Sequence, residues 1–249
     1  MKSLRARLFL SHLAVSAAIV AAAVAVIILV WYPPPLAQLE GIFKILLVMA
    51  GVDVCAGPLC TLVAASPKKT RGHLARDLAV IGLVQLCALG YAVYTTFIAR
   101  PAYIVYNTGQ FDVEHANDLK PEELAKAAPA FASVPLLGPV YVVAPLPDDS
   151  EEASRIVKSA ITTGFDITDM PRYYKPWPPA GADALAKAKP VSSIGRPALR
   201  DAVTALLKKH AVAESDAVVL SIFGKIEPGT VVLRKSDLAV LGIIPVMTP

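Results

Sequence analysis

Three long apolar stretches dominate the first hundred residues of the chain, at about 8–32, 42–65 and 75–99. Each exceeds the roughly 20 apolar residues that a helix needs to cross a hydrocarbon core about 30 Å thick. Beyond residue 100 the apolar positions fall in much shorter runs. The pattern therefore predicts a transmembrane domain over residues 1–100, with three transmembrane helices, and a separate domain over residues 101–249.

The first apolar stretch is expected to remain in the mature protein as an anchor. It follows a basic start, MKSLRAR, as a secretory signal does, but it is longer than a typical signal peptide and ends in WYPPP. Trp31 and Tyr32 come at its end, where amphipathic aromatic rings favour the membrane interface. We interpret this stretch as an uncleaved first transmembrane helix.

Short β-prone runs and helical patterns alternate irregularly beyond residue 100. The runs 102–106 and 110–114 flank Asn107-Thr108-Gly109, a turn signal that predicts a hairpin. The same kinds of signal predict further strands at 138–145 and in three runs near the C-terminus, and helices at 121–127, 149–164 and about 197–210. Because the predicted strands and helices do not alternate strictly along the chain, we expect an α+β domain with a mainly antiparallel sheet.

The basic residues of the first part set an expected orientation. The start MKSLRAR and the loop with Lys68, Lys69 and Arg71 are basic, whereas residues 33–43 contain no Lys or Arg. Short basic loops stay on the cytoplasmic side of a membrane. We therefore expect a cytoplasmic N-terminus and an exported, periplasmic domain over residues 101–249.

Composition and charge narrow the class of protein. The chain is too apolar for an ordinary soluble protein, with 55% hydrophobic residues and a mean hydropathy of +0.55. Its formal net charge of +4 comes from the basic loops, so no nucleic-acid partner is expected. Cys55, Cys60 and Cys87 all precede residue 100, so the exported domain has no disulfide, which favours a bacterial inner-membrane protein. About 150 residues bury enough surface for a core, so this domain is expected to fold alone.

Asp53 is the most unusual position of the apolar part, because it lies in the middle of the second stretch. An ionisable group at that depth is costly and commonly functional. An intramembrane aspartyl protease would need a second carboxylate at the same site. Asp77 lies near the start of the third stretch, roughly 20 Å away in depth at 1.5 Å per helical residue, so this pairing is rejected. Lys44 is interpreted as a residue that extends to the outer interface.

Two roles for Asp53 stay open, a structural link between helices and a polar anchor for a partner. A small and polar stripe suited to close packing follows one helix face: Ala50, Asp53, Gly57, Cys60 and Thr61. Pro58 frees the carbonyl of Val54 and favours a kink there. Gln85 lies at similar depth in the third stretch and is a candidate donor to Asp53. The candidate packing or binding residues are therefore Asp53, Gly57, Pro58 and Gln85.

Sequence motifs give no support for catalysis. His12, His73, His115 and His210 show no metal-ligand spacing, and GxSxG, GxGxxG and P-loop motifs are absent from the sequence. We therefore expect a non-enzymatic protein with no cofactor and no metal. A membrane-anchored periplasmic hydrolase and an envelope sensor are the alternatives, although the expected cytoplasmic segments are too short to contain an output domain.

The stretch over residues 50–115 resembles the core signature of the TfpX/TfpZ family of type IV pilin accessory proteins. The shared features are the D-x-x-x-G-P-L run from Asp53, the Pro-Lys-Lys loop, the D-L-A-V-I segment of the third stretch and the strand that begins with Arg100 and Pro101. The resemblance is weaker at GFDITDMPRYYKPW and in the closing strands. Residues 106–111 depart from it, since family members usually have a more charged segment there.

This resemblance implies an inner-membrane chaperone or assembly modulator for type IV pilins, with pilin and membrane lipids as partners. Homo-oligomerisation is left open. A waiting pilin has one long apolar helix with a lone glutamate and a charged amino terminus. Asp53 would supply a polar group at membrane depth, and the exported domain would shield the globular head of the pilin. The candidate partner surface of that domain comprises Arg100, Pro101, Tyr106 and Phe111.

Overall fold

The computed structural model describes residues 4–66, 69–178 and 183–246. Lys2 and Lys68, which contribute to the orientation argument, lie outside these residues. The described chain forms two compact units. The helices up to Val30 and from Ile42 to Ile98 form the first unit, and the segment Trp31–Gly41 joins the residues from Ala99 onward in the second.

The first unit consists of helices, and the second unit contains helices as well as strands. In the described residues they are, in chain order, α1 (Leu4–Val26), α2 (Leu36–Leu39), α3 (Ile42–Ala50), α4 (Gly57–Ala64), α5 (Arg71–Ile98), α6 (Pro121–Leu124), α7 (Ser150–Thr163), α8 (Ala184–Lys187) and α9 (Pro197–Lys209). A π-helical turn over Ile27–Trp31 extends α1, and another over Gly51–Ala56 joins α3 to α4. The helix predicted at 149–164 is confirmed as α7: the Asp149 side chain caps its start by accepting a hydrogen bond from the Glu152 N–H, and Gly164 ends it with φ 75°.

Three helical segments of the described chain are long and apolar enough to cross a membrane by length and composition: Leu4–Trp31, Ile42–Ala64 and Arg71–Ile98. They coincide with the three predicted stretches, although the third begins a few residues before residue 75. Large apolar side chains on their outer faces are exposed, as at Leu47 (74%) and Val63 (81%). The prediction of three apolar helices in the first hundred residues is confirmed.

A single sheet organises the second unit. Its strands in the described residues are β1 (Pro101–Asn107), β2 (Gln110–His115), β3 (Val140–Val143), β4 (Lys175–Pro176), β5 (Lys189–Pro190), β6 (Ala217–Phe223), β7 (Pro228–Arg234) and β8 (Val240–Pro245). The predicted hairpin is confirmed, because β1 and β2 pair antiparallel. At its turn Thr108 and Gly109 have φ of 45° and 103°, the positive values that a tight hairpin turn requires.

The sheet is mixed, which corrects the expectation of a mainly antiparallel sheet. The strand order is β4-β3-β1-β2-β6-β7-β8, with β5 also paired to β6. β3 runs parallel to β1, and β6 runs parallel to β2. Parallel neighbours need long crossover connections, and the chain has them after β2 and again between β3 and β6, where α7 and α9 lie. The alternation of apolar residues within a strand does not reveal which neighbour it will pair with.

Apolar side chains cover both faces of the sheet. On β1, Ile104 and Tyr106 face one core and Tyr103 and Val105 face the other, as the twofold repeat of a strand dictates. The first core also contains Phe111, Leu220, Ile222 and Leu233. The second core contains Phe131, Ile156, Ile167 and Tyr174. A strand buried on both faces has a continuous apolar sequence, which explains the run AYIVY.

The segment Trp31–Gly41, between the first two long helices, is built into the first of these cores. Leu36 and Leu39 of α2 are buried there. The Leu39 carbonyl accepts hydrogen bonds from the N–H groups of Ile226 (3.0 Å) and Glu227 (3.1 Å). Residues 101–249 by themselves therefore lack part of their own core, a consequence that the loop sequence did not suggest.

Candidate functional site

Asp53 lies in the π-helical turn between α3 and α4, with its side chain buried. Pro58 follows it in the first turn of α4 and has no N–H to donate to a preceding carbonyl. A helix interrupted in this way widens locally, and single π-helical turns are frequent at functional sites. The predicted disturbance around Val54 therefore takes the form of a π-helical turn.

Gln85 of α5 stabilises this turn. Its Nε2 donates a hydrogen bond to the backbone carbonyl of Asp53 (2.9 Å), and its amide also pairs with the Asp53 carboxyl. Gly57 makes this approach possible, because a Cβ atom at that position would overlap the Gln85 amide. The structure thus brings together the four predicted packing residues, Asp53, Gly57, Pro58 and Gln85.

A second polar contact joins α1 to α4. His12 Nδ1 lies 2.6 Å from Thr61 Oγ1, and Thr61 is fully enclosed. Asp77 is engaged elsewhere, in an ion pair with Lys69 (2.7 Å) at the start of α5. Asp77 therefore gives no support to a carboxylate pair with Asp53.

A cleft opens between α1 and α5, with the π-helical turn beneath it. Its volume is about 180 Å³. The residues that line it come from α1, the turn and α5, and include His12, Ser16, Val20, Asp53, Gly82 and Gln85. Most of the lining is apolar, and its polar side chains are those of His12, Ser16, Asp53 and Gln85. We call this feature the α1/α5 cleft.

A second opening, the α3/α5 groove, lies on the other side of Asp53. Its volume is about 460 Å³, and its lining includes Lys44, Met49, Tyr91 and Thr95. Asp53 also lines this groove, and in the described part of the chain no ion pair joins it to Lys44. Asp53 therefore borders two openings in a largely apolar helix bundle.

The four residues predicted as a partner surface are buried in the second unit. Arg100 donates from Nε (3.1 Å) and Nη2 (2.7 Å) to the Pro135 carbonyl, and Pro101 begins β1. Tyr106 and Phe111 pack edge to face in the first core, with ring centroids 5.4 Å apart. Because none of the four is exposed, the expectation of a partner surface at these side chains is corrected: apolar residues in a strand are more often core residues than contact residues.

A buried charge cluster in the second unit was not recognised from the sequence. His115 Nε2 lies 2.6 Å from Glu40 Oε2, and His115 Nδ1 lies 3.3 Å from Asp118 Oδ2. Lys225 Nζ also contacts Asp118 (3.1 Å). Burial alone would lower the pKa of His115, but its hydrogen bonds to Asp118 and Glu40 outweigh burial and raise it. The hydrogen bond from His115 lowers the pKa of Asp118 to about 2. This cluster fastens the segment Trp31–Gly41 to β2.

Glu114, next to His115 on β2, points to the other side of the sheet and is also buried. Burial, followed by the charge of Asp169, raises the pKa of Glu114 to about 8. Asp169 belongs to the short turn Ile167–Asp169 and accepts a hydrogen bond from the Asp166 N–H (2.8 Å). Among the described residues no group of three or more His, Cys, Asp or Glu side chains is arranged to hold a metal ion.

Comparison with known proteins points to fimbrial assembly. The model of the family "Fimbrial assembly protein FimB" matches residues 2–41. The chain is 30% identical to the fimbrial assembly protein of serogroup I of Dichelobacter nodosus over 203 residues, which is 80% of this chain and 79% of the relative. The serogroup E1 protein is 29% identical over 79% of this chain and 78% of the relative. No solved structure matches the chain.

These similarities extend across both units. They do not single out the TfpX/TfpZ family to which the sequence was compared above. The relative of serogroup I is similar over most of both chains, at a level of identity that establishes common descent. The chain belongs to the fimbrial assembly protein family.

Proposed function

We propose that this protein is an inner-membrane accessory protein of type IV pilus biogenesis, of the TfpX/TfpZ kind, that binds pilin before assembly. The three apolar helices cross the inner membrane, and the second unit lies in the periplasm. The apolar helix of the pilin packs across the mouth of the α1/α5 cleft. The cleft is too small for the helix itself, whose diameter is about 10 Å, so it accommodates only side chains of that helix.

The observation that carries this proposal is that the backbone carbonyl and the side-chain carboxyl of Asp53 have different surroundings. The contact between α4 and α5 uses the backbone carbonyl of Asp53, which any residue would supply, together with Gln85 and Gly57. The Asp53 carboxyl also pairs with the Gln85 amide, but the backbone contact does not require it, and Asp53 borders the α1/α5 cleft. A carboxylate in that environment suits the charged amino terminus of a pilin helix.

The surroundings of His115, the buried histidine of the second unit, do not favour the alternative of a periplasmic hydrolase. Both ring nitrogens of His115 face carboxylates, and in the described residues no Ser, Thr or Cys side chain is hydrogen-bonded to it. A hydrolase would need a nucleophile within about 3 Å of its base. We propose that the protein acts by binding, without catalysis.

Site-specific crosslinking tests the proposal. Photo-reactive residues at Ile19 and Leu86, which line the α1/α5 cleft, are expected to crosslink to pilin in living cells. Leu47 and Val63 are matched controls, since both are exposed apolar positions that line neither opening. Equal crosslinking at all four positions, or none at Ile19 and Leu86, would contradict pilin binding in the cleft.

The role of the carboxylate has its own prediction. Asp53→Asn keeps the size of the side chain and its hydrogen bonding to Gln85, so the amount of protein in the membrane is expected to stay normal. Co-purification of pilin is expected to fall about tenfold or more, as expected when about 1.4 kcal/mol of charge interaction is lost. Normal pilin recovery with Asp53→Asn would show that Asp53 only links helices.

A further inference from the structure

The loop over residues 133–139 exposes two adjacent leucines. Leu136 is 64% exposed and Leu137 is 77% exposed. Pro135 and Pro139 restrict the backbone on either side, and Gly138 takes the left-handed conformation with φ 55°. The loop therefore presents these side chains in a fixed conformation rather than as a flexible tail.

Three hydrogen bonds tie this loop to Arg100 and Tyr103, at the start of β1. The Arg100 guanidinium holds the Pro135 carbonyl, and the Tyr103 hydroxyl donates to the Ser133 carbonyl (3.2 Å). Arg100 comes two residues after Ile98, the last residue of α5, so its Cα lies within about 8 Å of the end of that helix. The Tyr32 hydroxyl, just after the first long helix, donates to the Ala99 carbonyl (2.8 Å).

The sequence around the leucines suits an apolar surface. The stretch from Ala127 to Pro147 contains no charged residue, in a second unit that is otherwise rich in Lys, Asp and Glu. Phe131 and β3 belong to the cores, whereas the uncharged residues 132–139 are exposed or half-buried. Exposed apolar side chains suit the headgroup region that interfacial segments enter, and this loop is hydrogen-bonded to Arg100, which follows α5 by two residues along the chain.

We propose that Leu136 and Leu137 insert into the outer leaflet of the membrane that holds the three long helices. This inference rests on the membrane anchoring in the proposed function, but not on pilin binding. The loop is then a second membrane contact of the exported unit, and Arg100 is the residue that positions it. The partner of this surface is lipid.

Depth-dependent fluorescence quenching tests this proposal on the full chain. Cys55, Cys60 and Cys87 are replaced by alanine, and a single cysteine labelled with an environment-sensitive dye is placed at Leu137, Ile161 or Leu47. The protein is reconstituted without pilin in phosphatidylethanolamine–phosphatidylglycerol vesicles that carry a lipid quencher near the headgroup or deep in the acyl chain. Ile161 is the matched control, because it is an 81% exposed apolar residue on α7.

The dye at position 137 is expected to lose at least about twice as much fluorescence as the dye at 161 with the headgroup quencher. The dye at Leu47 is expected to respond to the deep quencher, which checks membrane anchoring independently. Equal responses at 137 and 161, with Leu47 quenched, would overturn this inference alone. A dye at 137 that responds only after pilin is added would show that the loop binds pilin and would also overturn it. Absence of quenching at Leu47 would contradict the membrane anchoring, and this inference would fail with it.

Discussion

Gly57 determines how closely α4 and α5 approach each other. A methyl group at this position would occupy the space of the Gln85 amide, whereas a methyl group at Gly51, in the adjacent π-helical turn, would meet nothing within 4 Å. The two glycines thus differ in one respect that matters, the presence of a side chain from α5. They form a natural pair for measuring the Gln85 contact.

Gly57→Ala is expected to lower the thermal stability of the helix bundle in detergent, because it expels Gln85 from its place against α4. Overpacking of this kind costs about 1–3 kcal/mol. Gly51→Ala is the control and is expected to leave stability unchanged or slightly higher, since alanine favours helix. Circular dichroism during heating measures both. Equal effects of the two substitutions would show that the Gln85 contact is not important for packing.

Glu114 makes the stability of the second unit depend on pH. Its pKa is raised from an ordinary value near 4.5 to about 8, so the folded chain holds a proton that the unfolded chain releases. The stabilisation is complete below about pH 4.5 and is lost as the pH rises to 8. His115, whose pKa is also raised by Asp118 and Glu40, contributes in the same direction at higher pH.

Glu114→Gln imitates the protonated carboxyl and is expected to flatten the decline in the free energy of unfolding between pH 5 and pH 8. The half-buried Trp177 indole, which packs against Tyr106 and Phe111, reports unfolding by fluorescence in a Trp31→Phe background. Glu151→Gln on the exposed face of α7 is the control and is expected to keep the original slope. An unchanged slope with Glu114→Gln would assign the pH dependence to other groups.

At the scale of elements, local signals were predictable and long-range pairings were not. The hairpin at Asn107-Thr108-Gly109 and the cap at Asp149 depend on neighbours a few residues away, so their sequences predict them. The parallel pairing of β2 with β6 joins residues more than a hundred positions apart, and no local pattern encodes it. For the same reason the Glu40–His115 contact escaped recognition, whereas the Asp53–Gln85 contact was predictable from equal depth in two helices.

The segment Trp31–Gly41 gives a sharp test of how the second unit is completed. Residues 99–249 alone lack Leu36 and Leu39, and burying two such leucines contributes about 2–5 kcal/mol each. That is most of the 5–15 kcal/mol typical of a folded domain, so we expect this fragment to be unfolded or molten. Joining residues 31–41 to residue 99 through a flexible Gly/Ser linker is expected to restore a cooperative urea transition.

The control is the same linked chain with Leu36→Ser and Leu39→Ser, which keeps the linker and the length but removes the two apolar side chains. It is expected to behave like residues 99–249. A cooperative transition in residues 99–249 without the segment would contradict this account and support independent folding of the exported domain.

At the scale of the whole molecule, the basic loops predict the orientation. Alkaline phosphatase fused after Val113 is expected to be active, because the enzyme folds in the periplasm, and a fusion after Thr70 is expected to be inactive. The amount of each fusion protein is measured as a control, so that low activity is not mistaken for low abundance. An active fusion after Thr70 and an inactive fusion after Val113 would show the opposite orientation and would contradict the proposed periplasmic role.

The hydrogen bonds from Ile226 and Glu227 to Leu39 also impose an order on biosynthesis. When the ribosome has delivered the first two long helices, the strands that will receive Leu36 and Leu39 do not yet exist. Their core includes residues of β6 and β7, so it is complete only after translation has passed these strands near the C-terminus. A chain that is cut short by a nonsense mutation before Ile226 lacks β7 and both hydrogen bonds to the Leu39 carbonyl, and proteases recognise incompletely folded segments. Closure of this early loop therefore distinguishes finished chains from truncated ones.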